Sequence, residues 1–171
     1  IDSAYVESGT SLGSPENGFI KAPRVLLVWD LPTSSLSAGW TRYVLERRFG
    51  QAATTVRTAS LGRADFADYD VVVLNYMNWE SPGPGEPAQE NLKKFVASGK
   101  GLVLVHFACG AFQNWPEFKN IAGRVWDPKL RGHDPRGSFT VEITEPEHPI
   151  TKGMKPFETV DELYTCLTGD K

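Results

Sequence analysis

The chain reads Arg24-Val25-Leu26-Leu27-Val28-Trp29 immediately before Asp30, and Pro32 ends this run. An apolar stretch without alternating polar residues is typical of a strand that is buried on both faces. Two further stretches have the same character, Asp70-Val71-Val72-Val73-Leu74-Asn75 and Gly101-Leu102-Val103-Leu104-Val105-His106. We therefore expect three parallel neighbours in the centre of one sheet.

Helical patterns separate these strands. Ser37 is a candidate cap for a helix over about 38–49, whose expected buried stripe consists of Trp40, Tyr43, Val44 and Phe49. Pro87 lies in the first turn of a second helix, which places on one face Ala88, Leu92, Phe95 and Val96. Buried strands that alternate with helices predict a flavodoxin-like α/β fold, an open and mostly parallel sheet with helices on both faces.

Shorter elements complete the pattern. Thr54–Thr58 is β-branched and predicts a strand, and Phe139–Thr144 alternates as a half-exposed strand does. A short helix is expected from Pro116, with Asn114 as its cap and Gly123 as its end. The stretch 163–167 is a candidate for a last strand.

The length of 171 residues suits one α/β domain, over residues 23–171, preceded by an N-terminal arm over 1–22 that is rich in Gly, Ser, Pro and Asn. The first residue is Ile1, which indicates a processed or trimmed N-terminus. The compartment therefore stays open between the bacterial cytoplasm and export.

Composition narrows the class of partner. A net charge of -3 gives no reason to expect nucleic acid, and no apolar run approaches the ~20 residues of a membrane span. Cys109 and Cys166 are too few for a disulfide framework. Basic residues are concentrated between Lys119 and Arg136, where a loop could attract a polar or anionic ligand, although a solvated loop has the same composition.

Polar residues end the three buried strands: Asp30, Asn75 and His106. Open α/β sheets bind ligands outside the carboxyl ends of their strands. A histidine in such a place can be a general base, a metal ligand or a hydrogen-bonded structural imidazole.

A series of short motifs follows the third strand: Gly99-Lys100-Gly101 leading to His106, Trp115-Pro116-Glu117-Phe118, Gly123-Arg124-Val125-Trp126, Gly132-His133-Asp134-Pro135, His148-Pro149-Ile150 and Asp161-Glu162-Leu163-Tyr164. In this order and spacing the chain resembles the ThuA-like, trehalose-utilisation family, which is related in fold to class I glutamine amidotransferases. Weaker matches extend the resemblance to residues 24–167.

The resemblance implies a small-molecule carbohydrate ligand such as trehalose, a related glycoside or an oxidised keto form. Family members usually continue for several tens of residues and end in a strand that completes the sheet. The resemblance therefore implies that a C-terminal strand is lacking here, which would leave a sheet edge open or covered by another copy in a homo-oligomer.

Glutamine hydrolysis is disfavoured. Cys109 follows a central strand, but the glycine spacing of a nucleophile elbow is absent around it, and no glutamate follows His148-Pro149. Cys109 is better interpreted as a small buried residue.

Acid–base chemistry on a glycoside or keto-sugar is the function we expect. His106 would act as base or polarise a carbonyl, Glu162 or Asp161 would be the partner acid, and Asn75 with the backbone near Cys109 would stabilise an oxyanion. Further substrate contacts are predicted at Asp30, Trp115, Arg131, His133, Arg136 and Tyr164. Trp79, Trp115 and Trp126 could be sugar platforms, although core packing is the favoured interpretation for any one of them.

Two alternatives stay open. His106, His133 and Glu162 are ligand types of a catalytic zinc site with an open position, but their spacing cannot show whether they converge. The chain could also be a non-catalytic carbohydrate-binding or assembly module. Convergence of the two histidines and an acid in one pocket would favour the enzyme, and their scatter would favour the module.

Overall fold

A parallel four-stranded sheet forms the centre of the fold in the computed structural model, which describes Gly9, Ser14, Pro15 and residues 21–75, 78–130 and 132–169. The strands are β1 (Val25–Trp29), β2 (Ala53–Arg57), β3 (Val71–Leu74) and β4 (Gly101–Leu104), in the order β2-β1-β3-β4. All three pairings are parallel. The expected flavodoxin-like α/β fold is confirmed, whereas the predicted arm over 1–22 lies mostly outside the described residues.

Helices and turns connect the strands. They are α1 (Ser35–Tyr43), which continues as a π-helical turn over Val44–Arg48, α2 (Glu86–Ala97) and α3 (Glu117–Ala122). The sequence predicted α2 and its buried face, and Ala88, Leu92 and Phe95 are buried. Helix α3 begins without the expected side-chain cap from Asn114, and it ends at Gly123, whose φ of 77° a residue with a Cβ rarely adopts.

The two faces of the sheet are covered unequally. Leu26, Val28, Val72 and Leu74 belong to the larger core, which includes α2 and Phe118. The opposite faces of β1 and β3 belong to a small cluster of four buried residues, Val25, Leu27, Ala53 and Val73. The α1 side of the sheet is therefore only thinly covered.

The prediction that β4 lies in the sheet centre is wrong. Within the described residues β4 pairs with β3 alone, and Val103 is 45% exposed. Leu102 and Leu104 pack against the larger core, while Val103 lies on the thinly covered face. An apolar run shows that a strand can be buried on both faces, but the cover depends on elements elsewhere in the chain.

The predicted buried stripe of the first helix is also wrong. The helix begins earlier than expected, after Ser34, whose hydroxyl accepts a hydrogen bond from the Ser37 amide. Its inward positions are Ala38, which is 2% exposed, and Thr41, whose hydroxyl donates to Asn75 Oδ1 at 2.6 Å. The large side chains point outward: Trp40 is 62%, Tyr43 49%, Val44 40% and Phe49 76% exposed. A small residue at position 38 lets the helix approach the sheet closely.

Trp40→Ala should therefore change the free energy of unfolding by less than about 1 kcal/mol, because most of the indole is already in water. Removing a tryptophan from a core costs roughly 3–5 kcal/mol. Urea denaturation measures the difference, and a loss above about 2 kcal/mol would show that the ring is buried after all.

An ion pair joins the starts of β1 and β3. Asp70 accepts hydrogen bonds from the Arg24 backbone amide at 2.8 Å and from the Arg24 guanidinium at 3.1 and 3.2 Å. These hydrogen bonds lower the pKa of Asp70 to about 2. The carboxylate is therefore more stable in the folded chain than in the unfolded chain.

Asp70→Asn should destabilise the protein at neutral pH, and the difference from wild type should shrink as the pH falls. The stabilising contribution is complete above the unfolded pKa of about 4 and is lost as the pH falls through the folded value of about 2. Urea denaturation from pH 7 to pH 2 tests this, with Glu90→Gln on the exposed face of α2 as control. A difference that stays constant with pH would contradict the assignment.

A two-stranded antiparallel sheet lies beyond α3, with β5 (Gly137–Val141) and β6 (Phe157–Asp161). Strand β6 was not predicted, and the candidate strand over 163–167 is not formed. This segment instead makes isolated bridges, Val125 with Thr168 and His133 with Tyr164. No helix in the described ranges has the length and apolar character needed to cross a membrane.

Candidate functional site

His106 lies at the carboxyl end of β4, as the sequence predicted. The Val105 amide donates to Leu74 O at 2.9 Å, which extends the pairing of β3 and β4 by one residue. A 3₁₀ turn over His106–Gly110 then turns the chain across the strand ends. His106 has a φ of 54°, in the left-handed region where a residue with a side chain costs roughly 1–2 kcal/mol. Strained residues of this kind are concentrated at functional sites.

The backbone determines the tautomer of His106. The Phe107 amide donates to His106 Nδ1 at 2.7 Å. Since Nδ1 accepts this hydrogen bond, the ring proton of the neutral imidazole is on Nε2. His106 is therefore arranged as a hydrogen-bond donor through Nε2.

A β-bridge brings His133 beside Tyr164. The Asp134 amide donates to Leu163 O and the Thr165 amide donates to Gly132 O, both at 3.0 Å. This pattern makes His133 and Tyr164 a non-hydrogen-bonded pair, in which side chains approach closely. Their ring centroids are 5.2 Å apart, and the centroid of the His106 ring lies 6.2 Å from that of the same Tyr164 ring.

His133 has the opposite tautomer. Its Nδ1 lies 2.9 Å from Asp134 O, which can only accept, so Nδ1 carries the proton and the neutral ring has its lone pair on Nε2. Glu162 Oε2 lies 3.9 Å from the same Nδ1 and would stabilise an imidazolium. The Asp161 carboxylate instead accepts from the Glu162 amide at 2.8 Å. Of the two adjacent acids, Glu162 is therefore the one beside a histidine.

A cavity of about 440 Å³, the histidine cavity, lies against this cluster. Its walls are Trp79, Phe107, Trp126, Gly132, His133 and Tyr164. His106 is not among these walls, but its ring contacts one of them, Tyr164. The aromatic rings pack on one another, with centroids 5.0 Å apart for Phe107 and Trp126 and 5.2 Å apart for Trp79 and Trp126. Aromatic walls and a few polar groups are the usual lining of a small-molecule site. Apolar ring faces also suit the C–H face of a pyranose.

The other predicted contacts are dispersed. Asp30, with a φ of 68°, ends β1 and pairs with Arg57 at 3.3 Å. Asn75 is fully buried, so a ligand would reach its amide only after a movement of the protein. Trp115 lines a separate cavity, Arg136 is exposed before β5, and Arg131 lies outside the described residues. No finding tests the roles predicted for these residues, which stay predictions.

Two other kinds of chemistry, metal binding and nucleophilic attack by a thiol, were also considered for this site. Among the described residues, no group of three His, Cys, Asp or Glu side chains is arranged to hold a metal ion, and the metal role of His106, His133 and Glu162 stays a prediction. Burial raises the pKa of the Cys109 thiol, which opposes formation of the thiolate that a nucleophile needs.

The arrangement of motifs agrees with a family model described as ThuA, trehalose utilisation, which matches residues 32–171. The chain belongs to the ThuA family. The family's description, trehalose utilisation, is the link to carbohydrate use that the motifs implied.

Two solved structures share the fold of this ThuA domain. A ThuA-like protein from Parabacteroides merdae ATCC 43184 has a TM-score of 0.70 and 21% identity over 87% of this chain. A ThuA-like protein from Bacteroides uniformis ATCC 8492 has a TM-score of 0.62 and 22% identity over 89% of this chain. The chain spans 64% of the length of each. No curated protein matches it.

Sequence reasoning missed two walls of the histidine cavity, Phe107 and Gly132. Phe107 directly follows a strand-end histidine and is 6% exposed, a combination that could have indicated its place. Gly132 stands in a motif quoted for the family resemblance, but its place in the wall depends on the bridge between His133 and Tyr164, which joins distant segments.

Proposed function

We propose that this ThuA domain carries out acid–base chemistry on a glycoside or keto-sugar bound in the histidine cavity. The observation that carries the proposal is the pairing of two histidines of opposite tautomer around Tyr164. One ring presents a proton on Nε2 and the other presents a lone pair on Nε2. General acid–base catalysis needs such a division of roles.

In this proposal His133 is the base. Its Nδ1–H is held by Asp134 O, and the nearby Glu162 carboxylate stabilises the positive ring that forms when Nε2 takes a proton. His106 is not a wall of the cavity but lies beside Tyr164, and in this proposal its Nε2–H donates to a carbonyl or leaving-group oxygen of a sugar that extends past Tyr164. Of the two roles that the sequence left open for His106, this is the polarising one. With a keto-sugar, His133 takes the proton beside the carbonyl, a C=C bond forms as the glycosidic C–O bond breaks, and His106 protonates the departing oxygen. With a plain glycoside, a water that loses a proton to His133 attacks the anomeric carbon as the same C–O bond breaks, and His106 again protonates the departing oxygen.

The aromatic walls support a carbohydrate as the ligand. Trp79 and Trp126 can bind the apolar face of a sugar, while His133 and Tyr164 bind its hydroxyl groups. Membership of the trehalose-utilisation family points to the same ligand class.

The test is turnover measured together with binding. Trehalose, a keto derivative of trehalose and a related glycoside are incubated with the protein, and release of free sugar is followed by chromatography. The variant carrying both His106→Ala and His133→Ala is the blank. We expect turnover of at least one substrate by the wild type and none by the blank.

Calorimetry on the same ligands distinguishes the alternative function. Tight binding with no turnover by the wild type would overturn the catalytic proposal in favour of a carbohydrate-binding module. If neither binding nor turnover is found with any of the three sugars, the proposed substrate class is wrong.

A further inference from the structure

A second cavity, of about 450 Å³, lies against Trp126, the same residue that forms a wall of the histidine cavity. Its apolar wall consists of Phe112, Trp115, Phe118 and Trp126. Its polar residues include Gln113, Lys119, Asp127 and Lys129. The proposed chemistry makes no use of this cavity.

The apolar wall is preformed. Trp115 stacks on Phe118, with centroids 5.9 Å apart and an interplanar angle of 27°, and Phe112 packs edge-on against Phe118 at 4.8 Å. Phe118 is 2% exposed, so the ring below Trp115 cannot move readily. A ligand that contacts this wall would therefore meet a surface that needs little rearrangement.

Gln113 supplies an oriented acceptor. Its Nε2 donates to Gly110 O at 2.9 Å and to Trp126 O at 3.3 Å. Both partners are carbonyl oxygens, so the amide group must be assigned this way round, and its Oε1 remains as the acceptor. A sugar hydroxyl is a suitable donor to that oxygen. The second of these hydrogen bonds also holds the backbone carbonyl of Trp126, the wall that both cavities share.

The charges at the second cavity favour an anion. Lys119 comes from α3 and Lys129 from the following loop, and both are exposed. In the described part of the chain neither ammonium lies within 4.0 Å of a carboxylate, while Asp127 already accepts from the Lys129 backbone amide at 2.9 Å. The cavity therefore has two exposed ammonium groups, on Lys119 and Lys129, and one carboxylate, on Asp127, which already accepts a backbone hydrogen bond. Two of the basic residues noted in the sequence, Lys119 and Lys129, therefore line this cavity.

We infer that the second cavity binds an anionic substituent, a carboxylate or a phosphate, on the second unit of a disaccharide whose first unit occupies the histidine cavity. This inference rests on the proposed function for the position of the first unit. Trp115 and Trp126 contact the second sugar ring, Gln113 accepts from one of its hydroxyls, and Lys119 and Lys129 bind its anionic group.

Calorimetry at low salt tests the inference with trehalose, trehalose 6-phosphate, a disaccharide that contains a glucuronate unit, and glucose 6-phosphate. We expect at least one anionic disaccharide to bind about fivefold to tenfold more tightly than trehalose, as two exposed charge pairs would provide. The two anionic disaccharides distinguish phosphate from carboxylate. Glucose 6-phosphate should bind more weakly than the favoured disaccharide, since it fills only one of the two cavities.

Lysine variants provide the decisive comparison. The variant with Lys119→Met and Lys129→Met should lose the preference for the anion but keep its affinity for trehalose within about twofold. The matched control carries Lys93→Met and Lys94→Met on the exposed face of α2, which makes the same change in net charge and should keep the preference. Equal affinity for neutral and anionic disaccharides, or an equal loss in both variants, would overturn the inference.

The outcomes separate this inference from the proposed function. Lysine-dependent binding of an anionic disaccharide without turnover of any sugar would leave the second cavity as assigned and refute the acid–base proposal. Turnover of neutral sugars with no preference for anionic ones would support the acid–base proposal and refute the assignment of the second cavity.

Discussion

His133→Asn is expected to lower kcat on the sugar substrate by roughly 10²- to 10⁴-fold while changing KM little. Asparagine retains an N–H group near the position of Nδ1, so the hydrogen bond to Asp134 O and the bridge to Tyr164 can persist. It has no counterpart of Nε2, the atom assigned to accept the proton. The variant thus removes the base with little change to the surrounding structure.

The controls separate catalysis from folding. His148→Asn replaces an exposed histidine whose Nδ1 accepts from the Ile150 amide, and it should leave kcat unchanged. Glu162→Gln keeps the shape of the side chain near His133 but removes its charge, and it should lower kcat by about tenfold. Normal kcat in His133→Asn would refute the assignment of the base.

The variant His106→Gln adds an independent check on the division of roles. If kcat is normal in His133→Asn and falls about 10²-fold in His106→Gln with a sugar that needs a base, the roles of the two histidines are exchanged.

Gly110→Ala is expected to destabilise the protein by about 1–3 kcal/mol and to disrupt the site as well. A Cβ at position 110 would lie 2.5 Å from Cζ of Phe107 and within 2.9 Å of two further ring carbons. Phe107 is 6% exposed and packs against Trp126 and Tyr164, so the ring cannot simply turn into solvent. Overpacking here would displace a wall of the histidine cavity.

Gly39→Ala is the matched control. No atom lies within 4 Å of a Cβ added at position 39, which is an exposed position in α1. Alanine should stabilise the helix by roughly 0.5–1 kcal/mol without affecting the site. Urea denaturation gives the two free-energy changes, and near-ultraviolet circular dichroism reports the aromatic packing. If Gly110→Ala has the same free energy of unfolding as the wild type, the Phe107 ring can move away from the added Cβ, and the prediction of overpacking is wrong.

The sequence alone was sufficient for the fold class and for most of the elements that carry it. β1, β2, β3 and α2 were predicted because their signals are local: uninterrupted or β-branched runs for the strands, and Ala88, Leu92 and Phe95 at helical spacing for the helix. The strand-end position of His106 followed from the same reasoning. Membership of the ThuA family was also accessible, since it depends on the order of short motifs along the chain.

Only the tertiary structure decided which side chains meet and which are covered. Trp40 and Ala38 both lie on α1, and the close approach of α1 to the sheet, rather than hydrophobicity, buries the alanine and exposes the tryptophan. Val103 is part-exposed because the cover of a sheet face depends on distant elements. The bridge between His133 and Tyr164 joins residues 31 positions apart, and the imidazole tautomers depend on backbone groups at Phe107 and Asp134. Local sequence patterns do not show which side chains are covered or which histidine nitrogen carries the proton. Burial depends on contacts between segments that are far apart in the chain, and the tautomers depend on the backbone geometry of the folded state.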